Sequence, residues 1–504
     1  MAMLHSRKQS KGTRGSKHSA APMRRPGAVG VGTVMHGSAR AGHPLVRIDE
    51  NDRLYDYERR TKESFDSIVP VLKRISALQH EEDFEMRAQM IAREQFGFEL
   101  PQEILEGAWV DQLDMRKLFA WSVFQTYHKF CDEFFESDPI GSARDEQFQE
   151  YLQECGFHTL DVSPCADGRL AHVISYVLRL PYKGVRRKSY AGATFDIADS
   201  LDKWIETEML RFREGKPNTA DAPTRYLKAV VYHFSSVDPE HEGCAAHGSD
   251  TAVAAQAGLD RLLGFQQAVQ NSFCCGASID LLLIGLDTDT DAIKVHLPDA
   301  AGVPDLNNSV DALELYEQTQ TTSAQQAEAK IVEMIESQGA MVVPGMKNLI
   351  KRLIVNNLSQ IDYVKRYHGS HYSDIGHAER FIGAGIGFEE VQLRNLTYFA
   401  YLSTVEEATK DLDVGIKIFT GLNVSRGLPI PIVVRYDYHG QVPGARDRAI
   451  EHCSRVVDAL KARYSDLAEQ GLLHTMQVIR DCNAGACIEV LACSADANAV
   501  KGAH

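Results

Sequence analysis

YLKAVVYHF (226–234) and SIDLLLIGL (278–286) decide the fold. Both are apolar runs of strand length, and the helical segment AAQAGLDRLLGFQQAV (254–269) lies between them. Strands apolar on both faces, joined through a helix, belong to a mostly parallel sheet covered by helices. HVISYVLRL (172–180) reads as another such strand. LLLIGLDTDTDAIKVHL (281–297) reads as a strand running into a hairpin. Its turn, Asp287-Thr288-Asp289-Thr290-Asp291, starts like a calcium loop, but Ala292 and Pro298 stand where such a loop needs Gly and Glu. The polar stretch 299–330 reads as a loop leading into a helix.

Working outward, the last part of the chain repeats this grammar. PIVVRYDYH (431–439) is again an apolar strand ending in aromatic and His residues. A helix, RDRAIEHCSRVVDALKARY (446–464), and a hairpin, MQVIRDCNAGACIEVL (476–491), follow it. The order and spacing predict a duplicated α/β unit. On the other side, Phe65, Ile68, Val69, Leu72 and Ile75 fall at helical spacing, and Leu113–Phe135 is a second apolar-periodic stretch. The expected fold is therefore α/β with an N-terminal all-α domain. The domains run 1–48 (a basic arm), 49–145 (helical), 146–390 (the first α/β unit) and 391–504 (its degenerate copy).

Composition bounds the function. Of 504 residues, 44% are hydrophobic and 24% charged, so a core can be buried. The longest apolar runs are far shorter than the ~18–20 residues that span a bilayer, which argues against a membrane protein. The net charge of −15 is uneven: residues 1–48 hold nine Lys or Arg and no acid, leaving 45 basic against 69 acidic residues in the rest. An acidic body argues against a duplex nucleic-acid enzyme, and a basic, unpatterned arm argues for docking to an acidic partner. The start MAMLHSRKQSKGTRG lacks the apolar core of a signal peptide; a transit peptide is the alternative reading of the arm. Ten cysteines in this length do not make a disulfide scaffold, so thiols serve as core residues or metal ligands. Cys274-Cys275 reads as buried structure.

Three of these residues suggest chemistry. Cys165 sits in SPCADGRLAH, His233 closes a strand, and Cys244 opens a Gly/Ala-rich helix. Two thiolates and one imidazole form the three-ligand set that leaves a zinc coordination position open. Strand ends and helix N-termini converge at the carboxyl edge of an α/β sheet, where thiolate is also favoured. Asp167 and Arg169 follow Cys165 closely enough to stand beside the metal, with Arg169 keeping Asp167 ionised. Taken one at a time, each cysteine reads as a core thiol and His233 as a satisfied sheet histidine.

Cys-x-Asp-x-Arg followed by a strand-end His and a helix-start Cys resembles the β-class carbonic anhydrases. The helical N-terminal part and degenerate copy, with CADGRLAHVISYVLRLPYKGVRRKSYAG, YHFSSVDPEHEGCAAHGSD and SFCCGASIDLLLIGLDTDTDAIKVH, resemble the divergent subclass of α-carboxysome shells. The resemblance implies a β-carbonic-anhydrase-like sheet, one Zn2+ per chain on Cys165, His233 and Cys244, and catalytic roles for Asp167 and Arg169. It implies reversible hydration of carbon dioxide, run from bicarbonate toward carbon dioxide to supply Rubisco, in the carboxysome. It also implies an oligomer built from dimers, and Rubisco or shell protein as partner of the basic arm. The family usually spaces its His and Cys three apart, and His241 offers that spacing to Cys244; His233, eleven residues before Cys244, is preferred because it ends the strand. His241 and His247 then read as surface or proton-relay residues. Another small-carbonyl zinc hydrolase, or a scaffold with a vestigial site, are the rival functions.

Two clusters remain. His368, His371 and His377 in RYHGSHYSDIGH read as a loop, with a second metal site or a proton-relay imidazole as alternatives. Lys183, Arg186, Arg187 and Lys188 read as a solvated loop, with an anion site as alternative. Ribulose-1,5-bisphosphate, Rubisco's phosphorylated substrate, would be the effector bound there.

Overall fold

Every residue of Tyr226–His233 is buried, which is why so apolar a run forms a central strand. The computed structural model describes residues 42–137, 147–181, 184–273, 278–339, 341–400, 409–483 and 487–496. Most of the basic arm, together with Cys274, Cys275 and Lys183, lies outside the described residues. The first six helices are α1 (Ile48–Asp66), α2 (Ile68–Ser76), α3 (Phe84–Gln95), α4 (Gln102–Gly107), α5 (Met115–Ser137) and α6 (Phe148–Glu154).

The first sheet takes β1 (Thr159–Pro164), β2 (Arg186–Arg187), β3 (Arg225–Phe234), β4 (Ser278–Asp287), β5 (Ile293–Pro298) and β6 (Pro304–Asp311). Helices α7 (Ile197–Arg213) and α8 (Thr251–Phe273) interleave with them, and α9 (Ala312–Thr319), α10 (Ala324–Gln338) and α11 (Pro344–Tyr367) follow. The second sheet takes β7 (Phe381–Gly385) and β8 (Thr397–Ala400), then α12 (Thr409–Leu422), β9 (Ile430–Tyr438), α13 (Ala445–Arg463), α14 (Ser465–Glu469), β10 (Leu473–Asp481) and β11 (Glu489–Cys493). β7 precedes residue 391 yet pairs with β8 and β9.

The sheet orders are β2-β1-β3-β4-β5-β6 and β8-β7-β9-β10-β11. In both, the first four strands in chain order are parallel and the fifth is antiparallel. One core joins the first sheet to α8 and α11 through Leu262, Phe265, Leu281, Leu283, Leu353 and Ile361. The N-terminal helices form a second core that covers one face of the second sheet: Phe65 and Tyr127 meet Phe381 at centroid distances of 5.8 and 5.4 Å. Helices α12 and α13 cover the opposite face around Ile432 and Val434. No helix among the described residues is long and apolar enough to cross a membrane.

Two expectations are corrected. HVISYVLRL is not a strand: a 3-10 turn (Gly168–Leu170) leads into a single π-type turn (Val173–Val177). Burial on all sides gives helix and strand the same apolar signal, so periodicity cannot separate them. Here side chains replace a strand ladder: Asn357 donates to Val177 O at 3.2 Å, Asn356 to Leu178 O at 2.9 Å, and His172 pairs with Asp291 at 2.7 Å. The polar stretch 299–330 contains β6, antiparallel to β5, before α9 begins. As an outermost strand carrying Asn307, Asn308 and Ser309, β6 lacks the apolar signature of an inner one.

Candidate metal centre

β1 and β3 are adjacent and parallel, with Pro164 opposite Val231, so both release their chains at the same edge of the sheet. Cys165 leaves β1 there, anchored by its N–H to Val231 O at 3.1 Å. His233 lies at the same edge on β3. Cys244 does not open α8, which begins at Thr251; it precedes a 3-10 turn (Ala245–His247), and its carbonyl accepts from His247 and Ser249 N–H groups, each at 3.0 Å. The potential ligand atoms of Cys165, His233 and Cys244 all lie within 4.8 Å of one another, and all three residues are buried.

The donor set fits a metal. Neither nitrogen of the buried His233 ring makes a hydrogen bond within the protein, although Asp167 Oδ2 stands 3.4 Å from Nε2. A buried imidazole left so is costly unless a ligand takes it up. The thiols are polarised against each other. Cys244 is held below the ordinary thiol range, first by its hydrogen bond with Cys165 and also by the N–H groups of Ala246 and His247, although burial opposes this. Cys165 is pushed well up by the same contact and by burial. His241 is elsewhere: its side chain is 71% exposed and bonded to Asp238 at 2.9 Å.

Asp167 and Arg169 form a buried, two-pronged pair. Arg169, 1% exposed, donates through N and Nε to Asp167 Oδ1 at 2.9 and 3.0 Å and through Nη2 to Oδ2 at 2.7 Å. Burial opposes the charge on Asp167, but Arg169, then His377, outweighs it and holds the carboxyl well below its usual range. Arg169 also donates to Glu242 O at 2.6 Å and Ile375 O at 2.9 Å. It thereby ties the segment before Cys244 and the segment before His377 to one point.

Of the three later histidines, only His377 enters the site. His368 packs between Tyr363 and Tyr372, and His371 is exposed, so the three do not form a metal site. His377 Nε2 stands 3.9 Å from Asp167 Oδ2, and its Nδ1 is 2.9 Å from Glu379 Oε1. The same Glu379 oxygen accepts from Gly168 N at 3.1 Å. Burial works against the charge on His377, but Glu379 and Asp167 prevail and raise it to about 9. Glu379 carried no sequence signal, because no motif links it to residues two hundred positions earlier.

The cavity in front of these groups measures about 20 Å³, little more than one water-sized sphere. Ala191, Gly192 and Ala246 line it from the first unit. Tyr398 on β8, with Val414 and Ile418 on α12, lines it from the second. Nothing in the sequence pattern pointed to these last three.

Arg186, Arg187 and Lys188 of the basic run do not form a solvated loop. Arg186 and Arg187 form β2, paired with β1. Arg186 bonds Asp161 at 2.6 Å, and Arg186 and Lys188 both pair with Asp199. Arg187 donates to Ala171 O at 2.8 Å and lies 4.9 Å from the centre of the Phe399 ring; burial lowers it to about 9. Three consecutive cations hid a short edge strand, in which Arg186 faces the buried Asp161 and shares Asp199 with Lys188.

Comparison with known proteins matches the chain to three family models. They are described as Carboxysome Shell Carbonic Anhydrase, N-terminal (residues 43–135), catalytic domain (147–377) and C-terminal (378–495). Proteins named carboxysome shell carbonic anhydrase are similar along most of their length. That of Prochlorococcus marinus (strain MIT 9313) is 57% identical over 477 residues, 92% of each chain. That of Parasynechococcus marenigrum (strain WH8102) is 58% identical over 455 residues, 89% of this chain and 78% of the relative. That of Halothiobacillus neapolitanus is 45% identical over 464 residues, 89% of this chain and 90% of the relative.

Proposed function

The chain belongs to the carboxysome shell carbonic anhydrases, and on that premise we propose that Cys165, His233 and Cys244 hold the zinc with which it interconverts carbon dioxide and bicarbonate. The observation that carries this reading is the convergence of three buried groups with metal-binding atoms, the imidazole among them making no hydrogen bond through either nitrogen. Zinc in such a site lowers the pKa of water toward ~7 and so supplies a nucleophile at neutral pH.

The chain's own residues do the rest. Asp167, fixed as an ionised acceptor by Arg169, orients the proton of the attacking oxygen so that its lone pair faces carbon dioxide. The small apolar walls hold carbon dioxide and exclude bulk water. His377, at the cavity and held protonated by Glu379 and Asp167, is placed to keep Asp167 ionised beside the attacking oxygen. In the reverse direction the same groups dehydrate bicarbonate, the direction that supplies Rubisco.

The shared strand order of the two sheets supports a duplicated unit of β-carbonic-anhydrase type, with β7 taken into the second copy. That copy is degenerate under this reading: among the described residues, Cys165, His233 and Cys244 of the first unit have no counterpart cluster within the second sheet. It still contributes walls to the one site, as a partner subunit would. A dimer-based assembly, and an arm docking Rubisco or shell protein, complete the proposal.

Zinc analysis of three purified chains tests it. The parent should carry about one zinc per chain, as a single three-ligand site demands. His241→Ala should keep it, and His233→Ala should lose metal and hydration activity together. Loss of zinc from His241→Ala with retention in His233→Ala would reverse the ligand assignment.

A further inference from the structure

We propose that Asp411 is a positioning residue that sets the width of the substrate cavity by tying its opposite walls together. The inference rests on the reading of that cavity as the hydration site.

One wall is the turn at 191–193, which carries two consecutive residues of positive φ, Gly192 (65°) and Ala193 (56°). A left-handed alanine costs ~1–2 kcal/mol, so outside contacts must hold this turn in place. The other wall is one face of α12, where Val414 and Ile418 stand a helical turn apart.

Asp411 lies in the first turn of α12 and is 7% exposed. Its Oδ1 accepts from Ala191 N at 2.6 Å, across 220 residues of chain. Its carbonyl accepts from Tyr398 Oη at 2.9 Å. Tyr398 seats the helix: a Cβ on Gly415 would come within 2.8 Å of the Tyr398 ring, so only glycine permits that approach. One residue thus fixes the helix to Tyr398 through its backbone and the turn to the helix through its side chain. An ionised acceptor on a backbone N–H in a dry environment is among the stronger hydrogen bonds. The side chain reaches beyond its own helix to the other unit. The gap it spans is the cavity of about 20 Å³, so loss of the bond widens the space that admits substrate and excludes larger molecules.

The test compares parent, Asp411→Ala and Asp411→Asn full-length chains. The readouts are zinc content, kcat and KM for carbon dioxide hydration, and inhibition constants for azide and benzenesulfonamide. Asp411→Ala should retain zinc, raise KM more than it lowers kcat, and shift the azide-to-sulfonamide ratio about tenfold toward the larger inhibitor, the effect of one lost hydrogen bond. Asp411→Asn keeps an acceptor and should return most of the shift. If the alanine variant does not fold, Asp411→Ser, too short to reach Ala191, reads the same ratio. An unchanged ratio in a zinc-loaded alanine or serine variant overturns the proposal. A parent chain without zinc or hydration activity overturns the functional reading instead.

Discussion

Asp167→Asn is the sharpest probe of the pair beside the metal centre. The substitution keeps the shape and removes the charge. Arg169 gives Asp167 three N–H bonds, at 2.9, 3.0 and 2.7 Å. An amide offers one oxygen and turns an NH2 group toward a guanidinium that can only donate. At least one charged hydrogen bond is lost and another becomes a donor–donor clash. Each bond to a charged group is worth about 1.5–3 kcal/mol, and breaking a buried pair costs about 3–5 kcal/mol. The lower end applies, because Glu242 O and Ile375 O still receive Arg169 and the Glu242 carboxylate stands 3.7 Å away. The expected loss is therefore about 3 kcal/mol of local stability. The proposed zinc ligands are untouched, so metal content should stay near the parent value. Turnover should fall by about 10–100-fold, as it does when a group orienting a metal site is altered. Urea denaturation, zinc analysis and stopped-flow hydration on one preparation give all three readouts. A variant with full zinc, parental stability and a rate within twofold of the parent would show that the pair orients nothing.

Two further outcomes follow from residues around the site. Asp161 is wholly buried against Lys228 (2.8 Å) and Arg186 (2.6 Å); burial opposes its charge, but the two cations outweigh it and hold the carboxyl at about 2, below the unfolded value of 3.8. A lowered carboxylate pKa contributes stability that is complete above the unfolded value and lost as pH falls toward 2. Here that is about 2 kcal/mol. Urea midpoints at pH 6, 4 and 3 should fall more steeply for the parent than for Asp161→Asn, and parallel curves would contradict the assignment. Gly192→Ala places a Cβ 2.7 Å from His247 Nε2 and 2.9 Å from Ala246 Cβ at a φ of 65°. It should cost ~1–2 kcal/mol and depress hydration while zinc remains bound, and full activity would mean that the turn is free to move.

The sequence by itself determined the parts of this protein that local chemistry encodes. Apolar strands at 226–234 and 278–286, the helix between them and the hairpin beyond are written in burial patterns that each segment satisfies alone. Cys165 and His233 were legible as neighbours because strand ends of a parallel sheet bring their chains to one edge; Cys244 joins them from the loop after β3, not from the start of the helix expected there. The same logic preferred His233 to His241, and the structure brings His233 to the two thiols while His241 faces solvent. Where burial is complete, the pattern loses its direction: 172–180 is apolar all round and coils instead of pairing. Where a strand lies outermost it loses its signal, as at β2 and β6. Only the tertiary structure decided what surrounds the centre. Glu379, Tyr398, Val414 and Ile418 reach it from more than 200 residues beyond Cys165, and Asp411 meets Ala191 across a similar distance. Such contacts depend on how one sheet unit lies against another, which is set by the sum of packing over both units and leaves no mark on the short stretch of chain that supplies each residue.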